Sequence, residues 1–216
     1  MKLLAFLLPL TLLVSCQTDP ALNEEPKKAP VPVGTTVVID TSKGSILLEL
    51  DDKKAPVTVK NFLSYVDQGF YNNTTFHRVI SHFMVQGGGF ALTEGILNEK
   101  TAGPPIINES AQTSPNKRGT ISMARKSDPN SATCQFFINV VDNAKLDHPN
   151  TNGSGYAVFG KVIEGMQVVD AIRTVQTGAT YANALDATGV AMPTSMNNVP
   201  AEPVIIRSIH RTLKKH

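Results

Sequence analysis

The sequence lacks tryptophan altogether and contains only two cysteines, Cys16 and Cys134, among its 216 residues. One disulfide between them would be possible, but so few cysteines exclude the disulfide framework of a small secreted domain. Charge is also scarce: charged residues make up 18% of the chain, and a formal net charge of +2 is too small to indicate nucleic-acid binding. The hydrophobic share of 41% is typical of a globular protein, and the length allows one domain or two small ones.

The first fifteen residues have the pattern of an export signal rather than of a folded segment. Lys2 precedes an apolar run over residues 3–14, which is shorter than the ~20 residues that a membrane-spanning helix needs. A basic start, a short apolar run and small residues before a cleavage point are typical of a secretory signal peptide. The run leads into LVSC at residues 13–16, which resembles the bacterial lipobox, in which the cysteine becomes the lipidated first residue.

This resemblance predicts an extracytoplasmic protein that is anchored to the cell membrane or outer membrane of a bacterium by lipid on Cys16. Residues 1–15 would be removed as the signal peptide. Residues 16–35, with four prolines and mixed charges, would form a flexible tether. An ordinary signal peptide with an incidental cysteine is the alternative. The predicted folded domain is residues 36–216.

Eight short runs in this domain have the β-branched and aromatic composition of strands, and two segments have a helical pattern. Pro56 opens the first helical segment and Gly69 ends it, and the second covers residues 166–175. Residues 91–117 and 176–199 are rich in turn-forming and small polar residues and are predicted loops. The lack of strand–helix alternation favours a mostly β, antiparallel architecture that is compatible with a barrel capped by helices. The predicted strands are residues 36–40, 45–50, 75–80, 83–86, 119–124, 135–140, 156–162 and 204–209.

Distinctive motifs follow one another along this domain. They are FHRVISHFMVQGGGF at residues 76–90, GTISMAR at 119–125, SATCQFFI at 131–138, a Leu-Asp pair at 146–147 and VFGKV at 158–162. In content and in order they closely resemble the motifs of the cyclophilins, a family of peptidyl-prolyl cis/trans isomerases. The resemblance covers about residues 36–212, which is nearly the whole predicted domain.

The cyclophilin resemblance implies a closed eight-stranded antiparallel barrel capped by two α-helices, with an active groove on its outer surface. It implies that Arg78 is the catalytic arginine and that Gln86 binds the substrate backbone. Because side chains alternate along a strand, Phe136 would face the core if Phe137 faces the groove. The other implied groove residues are Phe83, Met84, Phe137 and Leu146 around the proline ring, Gln135 beside Gln86, Ala124 and Arg125 through their backbone groups, and Tyr156.

Two positions depart from the best-known eukaryotic cyclophilins. Lys145 stands where those proteins carry a tryptophan that is linked to tight cyclosporin binding, so we expect weak cyclosporin affinity. Tyr156 stands where many members carry a pocket histidine, and this tyrosine could belong either to the groove or merely to its strand.

The implied residue types suit a reaction in which no bond is broken. The X–Pro bond is partly double, so its rotation barrier is about 18–20 kcal/mol and the uncatalysed rotation takes tens to hundreds of seconds. Arg78 is charged at every working pH and can donate a hydrogen bond to the proline nitrogen as it regains its lone pair. No cofactor, metal or nucleophile is therefore expected.

The expected partners are proline-containing polypeptides and, through the anchor, a membrane. No nucleic-acid partner is expected, and the expected state is a monomer.

Several residues have alternative interpretations. Gln86 and Gln135 could be structural hydrogen-bonding residues. His77 and His82 could indicate a metal site, but a spacing of five puts them on opposite faces of an extended strand, and no carboxylate or cysteine pattern supports them. Cys134 lies in an apolar strand, which predicts an inert, packed thiol. The alternative function is a peptide-binding chaperone or an envelope scaffold with little turnover.

Overall fold

The computed structural model describes residues 35–212, so the predicted signal peptide, Cys16, nearly all of the tether and residues 213–216 lie outside the described residues. Residues 35–212 form two α-helices, one 3₁₀ helix and thirteen β-strands. The helices are α1 (Pro56–Asp67), α2 (Met166–Arg173) and the 3₁₀ helix (Ala144–Leu146). The strands are β1 (Thr36–Thr41), β2 (Gly44–Leu50), β3 (Thr74–Thr75), β4 (Arg78–Ile80), β5 (Met84–Gly87), β6 (Phe90–Thr93), β7 (Ile96–Glu99), β8 (Thr120–Met123), β9 (Phe136–Asn139), β10 (Val158–Glu164), β11 (Thr177–Leu185), β12 (Ala191–Pro200) and β13 (Ile205–Arg211).

One sheet contains all thirteen strands of the described residues. Its strand order is β12–β11–β7–β6–β3–β13–β1–β2–β10–β8–β9–β5–β4. Neighbouring strands are antiparallel except for β7 and β11, which run parallel. The two end strands, β4 and β12, lie close to each other, so the sheet curls into a nearly closed barrel. The predicted mostly β fold with two α-helices is therefore confirmed.

The prediction of eight strands is wrong, because the sheet contains thirteen. The predicted strand over residues 75–80 consists of two short strands, β3 and β4, and the hairpins β6–β7 and β11–β12 occupy segments predicted as loops. Most residues of β11 and β12 are exposed or only partly buried, so they lack the apolar alternation that marks a half-buried strand. They are strands because their backbones pair with each other and, at Ala182 and Asn183, with β7.

The β1–β2 hairpin shows how apolar alternation builds the barrel wall. Ile39 of β1 and Leu48 of β2 are fully buried, whereas the residues between the core positions are partly exposed. Gly44 in the turn has a φ of +126°, and a Cβ there would lie 2.9 Å from the side chain of Val168. Only glycine fits this position, so helix α2 can pack directly against the turn.

Helix α1 packs an aromatic face against the barrel core. Pro56 begins the helix, where a missing N–H costs nothing. The ring of Phe62 is fully buried and lies 5.1 Å from the ring of Phe159 and 5.8 Å from that of Phe136. Gly69 follows the helix with a left-handed φ of +64°, which is a usual way for a helix to end. None of the helices in residues 35–212 is long and apolar enough to cross a lipid bilayer.

The start of α1 is capped by a residue that is distant in sequence. The N-cap residue, Ala55, has no side-chain acceptor, and the first N–H groups of a helix have no partner within the helix. The buried carboxylate of Glu109 accepts hydrogen bonds from the N–H of Val57 at 3.1 Å and from the N–H and hydroxyl of Thr58 at 2.8 and 2.7 Å. Glu109 therefore fastens the long loop between β7 and β8 to the helix, and its negative charge is favoured by the helix dipole.

Replacing Glu109 with alanine should lower the free energy of unfolding by about 1.5–3 kcal/mol, because two backbone N–H groups lose a charged acceptor. Glu109→Gln should be milder, since the amide oxygen remains an acceptor. Glu164→Gln, which removes an exposed carboxylate on β10, is the control and should behave as the wild type. Urea unfolding at pH 7 measures these differences, and equal midpoints for Glu109→Ala and wild type would contradict the capping role.

Candidate active site

Nine side chains from five separate parts of the chain line a cavity of about 120 Å³ on the barrel surface. This is smaller than the roughly 300–1,000 Å³ of pockets that enclose a drug-sized ligand, and it suits a single small ring. The cavity brings together nine of the ten residues predicted for the groove, and Gln135 lies outside its lining. The lining residues are Arg78, Phe83, Met84, Gln86, Ala124, Arg125, Phe137, Leu146 and Tyr156.

Strand register brings Arg78 and Gln86 together. They lie directly opposite each other on the antiparallel strands β4 and β5, so their side chains project to the same side of the sheet. Nη1 of Arg78 donates a hydrogen bond to Oε1 of Gln86 at 3.3 Å. Among residues 35–212, the ion pairs do not include Arg78. The guanidinium is therefore held at the cavity by a neutral amide.

Partial burial sets the electrostatics of Arg78. Burial lowers the pKa of its guanidinium, and the nearby phenol of Tyr156 raises that pKa in part. Arginine keeps its charge across the working pH range even so. Arg78 is therefore a permanently charged, partly desolvated hydrogen-bond donor beside the apolar surface of the cavity.

The apolar side of the cavity comes from alternation along β9. Phe136 is fully buried and its ring packs edge-on against Phe62 in the core, whereas Phe137 lines the cavity. The predicted opposite orientation of these neighbours is confirmed. The ring of Phe137 lies 5.8 Å from that of Tyr156 in an edge-on arrangement, which is a favourable geometry for two aromatic rings. Tyr156 thus belongs to the groove, which resolves the alternative that the sequence left open.

Arg125 contributes its side chain as well as its backbone. Its guanidinium lies over the ring of Tyr156 at 4.4 Å from the ring centroid. It also donates hydrogen bonds to the carbonyl of Gly155 and the hydroxyl of Ser154, both at 3.1 Å. The sequence indicated only a backbone role here, because the loop that supplies these partners returns to the site from thirty residues away. Arg125 therefore stiffens the outer wall of the cavity.

A larger cavity of about 600 Å³ adjoins the first and shares Gln86, Ala124 and Arg125 with it. Gln135 lines this second cavity, and its Oε1 accepts a hydrogen bond from Nε2 of Gln86 at 3.0 Å. Glu99 also lines it, and no motif or spacing in the sequence singled this residue out. The two cavities therefore adjoin along Gln86, Ala124 and Arg125, and together they form the candidate active groove.

The two histidines do not form a common site. His77 is buried and its ring lies 4.7 Å from that of Phe90, whereas His82 is exposed in the turn before β5. Burial lowers the pKa of His77 to about 4. Burial raises the pKa of the Cys134 thiol to about 11, so this thiol is protonated and packed, as the sequence predicted. Within residues 35–212, no cluster of three His, Cys, Asp or Glu side chains could hold a metal ion.

Comparison with known proteins identifies the class of this groove. The chain matches the family model of the cyclophilin type peptidyl-prolyl cis-trans isomerase/CLD over residues 36–211. It is 52% identical over 174 residues to peptidyl-prolyl cis-trans isomerase A of Dickeya dadantii, covering 81% of this chain and 83% of that protein. It is 47% identical over 175 residues to peptidyl-prolyl cis-trans isomerase B of Escherichia coli, covering 80% of this chain and 97% of that protein.

A solved structure gives the same result for the fold. A cyclophilin type peptidyl-prolyl cis-trans isomerase of Cryptosporidium parvum, crystallised in the presence of the dipeptide Ala-Pro, has a TM-score of 0.62 and 26% identity. The match covers 83% of this chain and 99% of that chain. This chain belongs to the cyclophilin-type peptidyl-prolyl cis-trans isomerases. It is accordingly an enzyme that accelerates cis/trans interconversion of X–Pro bonds.

The buried His77 predicts a loss of stability on acidification. Its folded-state pKa of about 4 lies below the usual value of 6.5, so the unfolded chain binds more protons between these pH values. The free energy of unfolding therefore falls as the pH falls through this window, by about 2 kcal/mol from this group between pH 7 and pH 5. Urea unfolding at both pH values should show this loss in wild type and in the control His82→Gln, and a smaller loss in His77→Gln. An equal loss in all three proteins would contradict the assignment of this acid sensitivity to His77.

Proposed function

We propose that Arg78 is the catalytic donor of this isomerase and that the 120 Å³ cavity binds the substrate proline ring. The observation that carries the proposal is the position of the Arg78 guanidinium, which lies at the edge of an apolar cavity and is hydrogen-bonded to an amide. Phe83, Met84, Phe137 and Leu146 supply the apolar surface. The ring would be held there while the residue before it rotates.

Arg78 accelerates the rotation by favouring the twisted imide over the planar one. In the planar state the nitrogen lone pair is delocalised into the carbonyl, so it is a poor acceptor. On twisting, the lone pair returns to the nitrogen, and the guanidinium donates a hydrogen bond to it. The interaction exists only in the transition state, and in a partly water-excluded groove it is stronger than in water.

Gln86 has the donors and the acceptor needed to bind the substrate backbone. Its Oε1 accepts one hydrogen bond from Arg78, and one of its two N–H groups is donated to Gln135. One N–H and one lone pair remain for the peptide backbone on one side of the rotating bond. The dipeptide Ala-Pro named with the Cryptosporidium parvum structure supports a proline-containing peptide as the ligand of this groove.

Arg78→Ala should lower kcat/KM by about 10²–10³-fold, which is the usual loss when one preorganised donor to a transition state is removed. Arg78→Lys should recover only part of the activity, because a lysine ammonium lacks the planar fork that Gln86 positions. Arg207→Ala is the matched control, since Arg207 lies on β13 outside the cavity lining, and it should retain activity. A protease-coupled or NMR-exchange assay on an Xaa-Pro peptide measures all three. Wild-type activity in Arg78→Ala would refute the proposal.

The same proposal assigns exported or unfolded polypeptides as the clients. Its support is the sequence alone: the export signal, the lipobox-like residues 13–16 and the proline-rich residues 16–35. Residues 17–35, after the lipidated cysteine, would span at most roughly 60 Å at about 3.3 Å per residue. They would let the isomerase domain reach polypeptides near a membrane surface while lipid on Cys16 holds the chain there.

Cys16→Ala should move the protein from the membrane fraction to the soluble fraction after export, because the lipid attachment site is lost. The isomerase activity of the purified protein should be unchanged, since the substitution alters none of the residues that line the groove. Cys134→Ala removes the other cysteine and should leave the protein in the membrane fraction. Fractionation with metabolic fatty-acid labelling measures this, and a membrane-bound, labelled Cys16→Ala protein would contradict the anchor.

A further inference from the structure

The β11–β12 hairpin lines the cavity that adjoins the 120 Å³ cavity. Leu185 at the end of β11 and Asp186, Ala187 and Gly189 of the connecting turn line the 600 Å³ cavity, as do Gln86 and Gln135. The carboxylate of Asp186 accepts hydrogen bonds from the N–H and hydroxyl of Thr188 and from the N–H of Val190. The turn is therefore an ordered structure that can present a fixed surface to a bound peptide.

The hairpin is docked on β7 by three kinds of contact. Its backbone pairs in parallel with β7, where Ala182 is opposite Leu97 and Asn183 is opposite Asn98. The Nδ2 of Asn183 donates to Oδ1 of Asn98 at 2.8 Å. A small apolar cluster, separate from the main core, forms around Phe90, Leu97, Ala182 and Val199. Together these contacts fix the hairpin next to Glu99, the last residue of β7.

Glu99 joins the hairpin to the catalytic groove. One carboxylate oxygen of Glu99 accepts a hydrogen bond from the N–H of Leu185 at 2.8 Å, and the other accepts from Nε2 of Gln135 at 3.4 Å. Oε1 of Gln135 accepts from Nε2 of Gln86, and Oε1 of Gln86 accepts from Arg78. A continuous series of hydrogen bonds therefore runs from the hairpin backbone to the guanidinium.

The chemistry of a carboxylate sets the direction of this series. An ionised carboxylate accepts hydrogen bonds and donates none, whereas a glutamine amide has a donor end and an acceptor end. Facing Glu99, Gln135 must turn its NH₂ group towards the carboxylate and its oxygen towards Gln86. Gln86 must then turn its own NH₂ group towards Gln135, which leaves its oxygen facing Arg78.

We propose that Glu99 is a positioning residue that fixes the orientation of Gln135 and Gln86 and, through them, of the Arg78 guanidinium. The N–H of Leu185 holds the carboxylate in place, so the β11–β12 hairpin is a structural support of catalysis. This inference rests on the role proposed for Arg78. It assigns no contact between Glu99 and the rotating bond.

Glu99→Gln tests the direction of the hydrogen bonds in a side chain of unchanged shape. The amide has only one acceptor oxygen for two donors, and its NH₂ group can turn Gln135 the wrong way. Glu99→Gln and Glu99→Ala should lower kcat by about 3- to 10-fold, the worth of one hydrogen bond. The fall in kcat is the diagnostic result, because it reports the weakened transition-state interaction of Arg78, whereas backbone binding by Gln86 contributes to KM. Glu94→Gln, in the exposed turn of the β6–β7 hairpin, is the matched control and should behave as the wild type.

A second experiment, in the Gln135→Ala protein, separates a positioning role of Glu99 from general damage to the fold. In Gln135→Ala the series is already broken, so adding Glu99→Gln should cause no further loss of kcat. A full further loss in that background, a rise in KM with unchanged kcat, or wild-type kcat in both Glu99 variants would overturn the inference. If Arg78→Ala is damaging while the Glu99 variants are as active as wild type, this inference fails and the role of Arg78 stands. If Arg78→Ala is fully active, the role of Arg78 fails first.

Discussion

The active groove depends on keeping a charged guanidinium at the edge of an apolar cavity without an acidic partner. Arg78 meets this constraint because, in the part of the chain that the structure describes, its guanidinium is hydrogen-bonded to the neutral amide of Gln86. A carboxylate at that place would hold the guanidinium more strongly and, in the role proposed for Arg78, compete with the proline nitrogen for its N–H groups. Partial burial lowers the pKa of Arg78, but arginine stays charged, so the donor is available at every working pH.

The barrel makes this arrangement by register and alternation. The pairing of β4 with β5 places Arg78 opposite Gln86, and alternation along β9 directs Phe137 to the groove while Phe136 fills the core. Gly89, directly before β6, leaves space for Gln135, because a Cβ there would lie 2.5 Å from the side chain of Gln135. A side chain at position 89 would displace the amide that is hydrogen-bonded to Gln86, so glycine at this position has a direct steric reason.

The resemblance of the motifs to those of the cyclophilins predicted most of the groove, because the groove is built from motifs whose residues lie on or next to the core strands. Nine of the ten predicted groove residues line one cavity, and both α-helices are predicted from their helical patterns, the first also from Pro56 and Gly69. The strand count could not be predicted, since β11 and β12 are largely exposed and are held by backbone pairing with each other. Contacts between distant segments were equally hidden. Glu109 caps a helix about fifty residues earlier in the chain, and Glu99 meets a hairpin 86 residues later.

The role of Arg78 is tested most directly by measuring peptide affinity and the rate of X–Pro interconversion separately. NMR exchange on a saturating Xaa-Pro peptide gives the rate of cis/trans interconversion on the enzyme, and a titration gives the dissociation constant. Arg78→Ala should show a large fall in the interconversion rate with little change in peptide affinity, because the proposal assigns the twisted imide to the guanidinium and the proline ring to the apolar cavity. An unchanged interconversion rate with weakened binding would contradict it.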